Sequence, residues 1–207
     1  WMNEVSISMA IVDFIPVVMF FVAIIYLQKD LAPHIEKEAY SLLAVGTAMV
    51  FIGGFYKAVW KILLALGRCD WQALNLSQMP LMAPGYVFIF AGMLTVVYGV
   101  EVKSYIIAII SVLLVPFFKS NIIFIILQTL GCEGFYVLLM IQSKKKKKPS
   151  AMILFLVSAI FVLAMGYLGA KFDSSSSMHW LAQCTNIIAQ GAFMLGVKVL
   201  HKAWEES

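Results

Sequence analysis

The sequence predicts an all-α integral membrane protein: a bundle of seven transmembrane helices, N-terminus outside and C-terminus inside. Three observations carry that expectation. Of the 207 residues, 62% are hydrophobic and only 13% are charged, about half the charged share of a soluble domain. The apolar residues come in runs of about twenty, the length that crosses a hydrocarbon layer as a helix. The basic residues gather on alternate joints between those runs, as the positive-inside bias requires. No polar stretch is long enough to enclose a second core, so residues 1–207 read as a single transmembrane domain.

The first helix, about residues 5–28, contains "IVDFIPVVMFF" (11–21), with Asp13 inside an apolar run and Pro16 three residues on. It has no basic flank before the run and no small-residue cleavage site after it, so it reads as a span and not a signal peptide. The second, about 39–66, stops at the helix-ending Gly67, and the third, about 80–100, starts at Pro80. The joint between them, "GRCDWQALNLSQMP" (67–80), offers Trp71 and Leu74 to the membrane interface. The fourth, about 102–118, is short and ends at Pro116; the fifth, about 120–142, follows after "KSN". Together they cover about forty residues, which suits a tight hairpin better than one helix. The sixth, about 149–170, follows the lysine run Lys144–Lys148, and the seventh covers about 178–202.

Orientation follows from the lysines. With the N-terminus outside, ten of the fifteen basic residues fall on the inner side, including Lys29, Lys37, Lys103 and Lys144–Lys148. Seven helices also divide as three, one and three, which would make a 3+1+3 parallel repeat. The support is a loose echo of "GGFYKA" (53–58) in "GYLGAK" (166–171), and of "FAGMLTVVYG" (90–99) in "AQGAFMLGVK" (189–198).

Several function classes are excluded or disfavoured. The net charge of +4 owes much to Lys144–Lys148, and Arg68 is the only arginine, so no nucleic acid is expected as a partner. That run serves topology first and could also meet anionic lipid at the inner leaflet. Three cysteines and three histidines are scattered without ligand spacing, so no metal and no cofactor are expected. The seven-helix plan invites comparison with G-protein-coupled receptors, rhodopsins and SWEET-type sugar transporters. The third helix ends in "VVYGVEVK" (96–103) and the seventh in "FMLGVKVL" (193–200), neither a receptor motif. Lys198 lies too near the inner end for a retinal lysine, and helices two and five lack prolines, as does helix six beyond Pro149 at its first residue.

Two groups of residues remain for function. Asp13, Lys57 and Glu133 are charges within spans, where charges usually face the bundle interior and find partners. Counting from helix midpoints puts Asp13 and Lys57 at one depth to within about a turn, and the expectation is that they pair. Gly46, Val50 and Gly53 share the stripe of Lys57 and would let a neighbour approach closely. On the seventh helix, His179, Gln183, Asn186 and Gln190 recur at spacings of four, three and four, one face at 100° per residue. Such a face either lines a cavity or bonds helices together.

The expected function is therefore a transporter or conducting protein for a small polar or charged solute, open to proton coupling. Its polar centre would lie between helices one, two, five and seven, in a plasma or bacterial inner membrane whose lipid surrounds the chain. A ligand-sensing or partner-binding membrane protein is the alternative. An intramembrane lipid-modifying enzyme comes third, because no helix carries a paired-residue catalytic spacing.

Overall fold

The structure is a computed structural model that describes residues 6–101, 121–170 and 176–205. Among them no strand occurs. The order is α1 (Ile7–Val12), α2 (Phe14–Leu31), a single 3-10 turn (Ala32–His34), α3 (Lys37–Ala65), α4 (Gln72–Leu76), α5 (Gln78–Tyr98), then α6 (Asn121–Lys145), α7 (Pro149–Ala170) and α8 (Ser176–Glu205). Five stretches are long and apolar enough to cross a membrane: Ile7–His34, Lys37–Ala65, Gln72–Tyr98, Ile122–Lys145 and Pro149–Leu168. The fourth helix expected from sequence, about 102–118, lies outside the described residues.

Local chemistry accounts for the boundaries. The Ser6 hydroxyl accepts the Met9 N–H at 3.2 Å and starts α1. The helix breaks at Asp13, and Pro16 has no N–H to return to the Val12 carbonyl across that break. Gly67, at φ +64°, closes α3: Arg68 N–H reaches the Leu63 carbonyl (3.1 Å) and Gly67 N–H the Leu64 carbonyl (3.0 Å), the paired bonds of a Schellman turn. The joint after α3 holds the short helix α4; of the two residues expected at the membrane interface, Trp71 is exposed and Leu74 is half-buried. Lys147 turns the chain at φ 55°, and Pro149 then opens α7, where a missing N–H costs nothing.

Each long helix packs on the next, and the last returns to the first, so the described helices close into a ring. The contact between α3 and α5 is the most extensive. Gly46 and Gly85 face each other there, so closely that a Cβ on Gly46 would lie 2.6 Å from the Gly85 carbonyl oxygen. The small-residue stripe on α3 therefore serves α5. Phe193 of α8 lies at the centre, fully buried, with ring centroids 5.8 Å from Phe20, 5.7 Å from Phe135, 5.8 Å from Tyr136 and 6.3 Å from Phe155. Outward, Ile11, Val18 and Ile25 of α1 and α2 recur every seventh residue at 55%, 57% and 50% exposure. Apolar side chains out and Gln183, Gln190, Thr47 and Ser158 buried is the polarity expected of a lipid-facing bundle.

Helix directions follow from the contacts. Phe21 meets Phe51 at 4.9 Å and Gln28 Nε2 donates to Thr47 Oγ1 at 2.5 Å, so α2 and α3 are antiparallel. Ser158 Oγ donates to the Ala189 carbonyl (2.8 Å) while Phe155 packs on Gly196, so α7 and α8 are antiparallel too. By contrast α2 and α8 are parallel, with Phe20 beside Phe193 and Asp30 beside His201. So are α5 and α6: Gly131 abuts Tyr86, Gly134 abuts Phe90, and Lys145 Nζ reaches the Val97 carbonyl.

Candidate functional site

The break at Asp13 frees that residue from the middle of a helix and sets it at a junction, its side chain turned inward. A cavity of about 200 Å³ opens beside it. Its walls come from the α1–α2 junction, α3, α5, α8 and Met165 of α7. Asp13, Lys57 and Lys61 line it, together with the carboxamides of Gln78, Gln183, Asn186 and Gln190. The remaining wall is apolar, with Phe20, Val50 and Met82 among its side chains.

The ion pair differs from the expectation. Asp13 Oδ2 pairs with Lys61, both side chains being mostly buried. Lys57 instead donates to Asn75 Oδ1 of α4, and its ammonium lies 4.8 Å from the Trp60 ring centroid. The reason is one helical turn. Lys57 and Lys61 lie on one face of α3 four residues apart, and the junction at Asp13 ends the straight helix that the depth count assumes. Lys57, with a four-carbon stem, reaches outward to the polar α4. Among the described residues it salt-bridges no carboxylate.

On α8 the four-residue stripe divides. Gln183 Nε2 donates to the Met9 carbonyl at 2.9 Å, fastening α8 to α1. Gln183 and Gln190 are 4% and 8% exposed, and the Oε1 atom of each accepts no hydrogen bond from the described residues. Leaving a buried acceptor unpaired costs about 1–3 kcal/mol, and both of these oxygens belong to residues that line the cavity. Asn186 lies between them on the same wall. His179, in the first turn of α8, is not among the lining residues.

Glu133 is brought to a different place. It sits on α6, which packs between α5 and α7, and does not line the cavity. Its Oε1 is buried without a partner among the described residues. The expected contribution of the fifth predicted helix to the polar centre is thus replaced by that of the third, through Gln78, Met82 and Tyr86 of α5. The ring order decides this: α5 adjoins α3, whereas α6 is one place further round.

Two polar clusters escape sequence reasoning. Asp30, 8% exposed at the end of α2, accepts from His201 Nδ1 at 2.6 Å, and Tyr26 stacks on the same imidazole at 4.8 Å. Nearby, His34 lies 4.6 Å from the Trp204 ring, and the Lys146 ammonium 4.2 Å from it. Asp30 and His201 are 171 residues apart in sequence. At the opposite end, Trp60 Nε1 (2.8 Å) and Gln72 Nε2 (2.7 Å) donate to the exposed Asp70 carboxylate. These two donors hold its carboxyl below the usual carboxylate value. They also clip the joint after α3 to the start of α4, the helix that receives Lys57.

Cys132 is buried, while Cys69 and Cys184 are exposed and all three are free. Among the described residues no group of histidine, cysteine and acidic side chains could hold a metal ion. Compared with known proteins, the chain matches no family model, no curated sequence and no solved structure.

Proposed function

We propose that the chain is a membrane transporter or conducting protein for a small polar or charged solute, with the cavity at Asp13 as its solute site. One observation carries this reading. A bundle whose outer face is apolar encloses about 200 Å³ lined by three charged side chains and four carboxamides. Each charge within a bilayer costs about 2.5–3.5 kcal/mol on insertion scales. Asp13 and Lys61 offset that cost for one another, whereas among the described residues Lys57 has only the neutral Asn75 oxygen and the Trp60 ring as partners, and two amide oxygens have none.

The reading takes seven spans, entering from outside. Support comes from direction: α2, α5, α6 and α8 run one way, α3 and α7 the other. The parallel packing of α6 on α5 fits one further crossing between them. The ring order also fits a parallel repeat, because exchanging the first three long helices for the last three maps the α3–α5 contact region onto that of α7 and α8. The lysine run and the end of α8 share one end of the bundle, the end the lysine bias assigns to the inside.

Reconstitution into liposomes tests the function. Flux of small polar solutes, measured with and without a proton gradient, should be present in the parent protein and fall at least about tenfold in both Asp13→Asn and Lys57→Met. No flux for any solute or ion class would remove the proposal, and ligand binding without flux would make the cavity a sensing site.

A further inference from the structure

The charges and acceptors around the cavity go beyond "polar solute". Two ammonium groups, on Lys57 and Lys61, face one carboxylate, on Asp13, and leave one positive charge over. That surplus sits on Lys57, whose three N–H donors meet only the neutral Asn75 oxygen and the face of Trp60. Across the cavity, α8 presents the opposite chemistry. Gln183 and Gln190 offer buried carbonyl oxygens that accept nothing from the described residues. Gln183 commits its nitrogen to Met9, so its oxygen is what remains for a ligand.

The levels agree. Helix α8 runs parallel to α2, and Gln183 stands at Met9 while Phe193 stands at Phe20. Counting at about 1.5 Å per residue, Gln190 is therefore level with about Val17. Gly54, one turn before Lys57 on α3, faces that same Val17. Lys57 thus stands about one turn outward of Gln190 and, with Gln183 level with Met9, lies in depth between the two unpaired acceptors. A volume of about 200 Å³ holds six or seven waters at about 30 Å³ each, or one compact solute of a few heavy atoms.

Resting on the reading of this cavity as a solute site, we propose that its ligand is a small oxyanion, a carboxylate or phosphate, that also carries a hydroxyl or amine donor. The oxyanion takes the free donors of Lys57, and the O–H or N–H group satisfies Gln190 Oε1 or Gln183 Oε1. The Asp13–Lys61 pair stays intact, so the charge that meets the ligand is that of Lys57. A simple cation meets the surplus positive charge and is rejected.

Equilibrium binding to the purified full chain in detergent tests this without any need for transport. The probes are lactate (oxyanion with hydroxyl), propionate (the same without it), ethanolamine (cation with hydroxyl) and glycerol (neutral). Lactate should bind at least about tenfold tighter than propionate, the effect of one hydrogen bond to a buried acceptor, with ethanolamine and glycerol weaker still. Lys57→Met should weaken lactate at least about tenfold, while Lys57→Arg, which keeps the charge, stays within about threefold. Gln190→Leu, an apolar replacement at a buried position, should bring lactate down to the level of propionate. A phospholipid head group can offer the same chemistry, so binding is repeated in discs of phosphatidylglycerol and of phosphatidylcholine. Loss of lactate binding only in phosphatidylglycerol assigns the site to a lipid head group; retention in both assigns it to a soluble solute, and either outcome supports the ligand class. Equal affinity for propionate and lactate, tighter binding of ethanolamine or glycerol, or no binding of any oxyanion overturns it. If lactate behaves as stated but no flux occurs, only the transport reading falls. Flux of cations alone removes the ligand class and leaves transport standing.

Discussion

Replacing Gly46 by alanine adds one methyl group at the tightest helix crossing in the molecule. A Cβ there would lie 2.6 Å from the Gly85 carbonyl oxygen, 2.8 Å from the Ile89 nitrogen and 2.9 Å from Phe88 Cβ. Two of those atoms are backbone and cannot rotate away, so α3 and α5 must part by about 0.8 Å to restore ordinary contact. Overpacking of this kind costs about 1–3 kcal/mol, while alanine regains about 0.5–1 kcal/mol over glycine in a helix. Gly54 lies two turns on in the same helix, and its added Cβ would meet only Val17 Cγ2, at 3.7 Å. Gly54→Ala therefore keeps the helical gain without the clash, and the two variants should differ by about 1–3 kcal/mol. For a chain of this size that is about 2–10 °C in melting temperature, with Gly46→Ala the lower. Thermal unfolding followed by circular dichroism in one detergent reads the difference directly, since micelle effects are shared. Gly46→Ala melting at or above Gly54→Ala would refute the close crossing of α3 and α5.

Two further outcomes follow from the same geometry. Removing either member of the Asp13–Lys61 pair leaves a mostly buried charge unmatched and should cost about 3 kcal/mol; exchanging them, as Asp13→Lys with Lys61→Asp, should recover most of that loss in the same melting assay, whereas Asp13→Lys with Lys57→Asp should not. Cys69, in the joint between α3 and α4, and Cys184 are exposed while Cys132 is buried, so in a Cys184→Ser variant a membrane-impermeant maleimide applied to intact cells should label Cys69 if the N-terminus is outside, and labelling only after permeabilisation would reverse the orientation.

Most of the helical outline can be read from the chain because a hydrocarbon layer demands long apolar runs with turn residues between them. Gly67, Pro149 and the lysine run mark boundaries that recur in the structure within a few residues. What sequence reasoning misreads are matters of one turn or of ring order. Asp13 pairs with Lys61 and not Lys57, yet the two lysines lie one turn apart on one face of α3, and a depth count good to about a turn cannot separate them. Glu133 falls away from the cavity because neighbour relations between helices depend on packing at positions such as Gly46 with Gly85 and Gly131 with Tyr86. Helix α8 is not among the five apolar stretches because Gln183, Asn186 and Gln190 dilute its hydropathy, although they point inward. The contact of Asp30 with His201 joins two chain ends, and no local pattern announces it.

The interruption at Asp13 has a mechanical meaning. Helix α1 is fastened to α8 through Gln183, whereas α2 starts from a residue fastened to α3 through Lys61, and Asp30 with His201 anchors its far end. Pro16 supplies no hydrogen bond back across the joint, so a push on α1 is passed on to α2 only weakly. Both walls hold both segments: α1 packs on α3 and bonds to Gln183 of α8, while α2 packs on α8 and on α3. The chamber therefore opens beside a joint where the helix forgoes one hydrogen bond yet stays tied to each side.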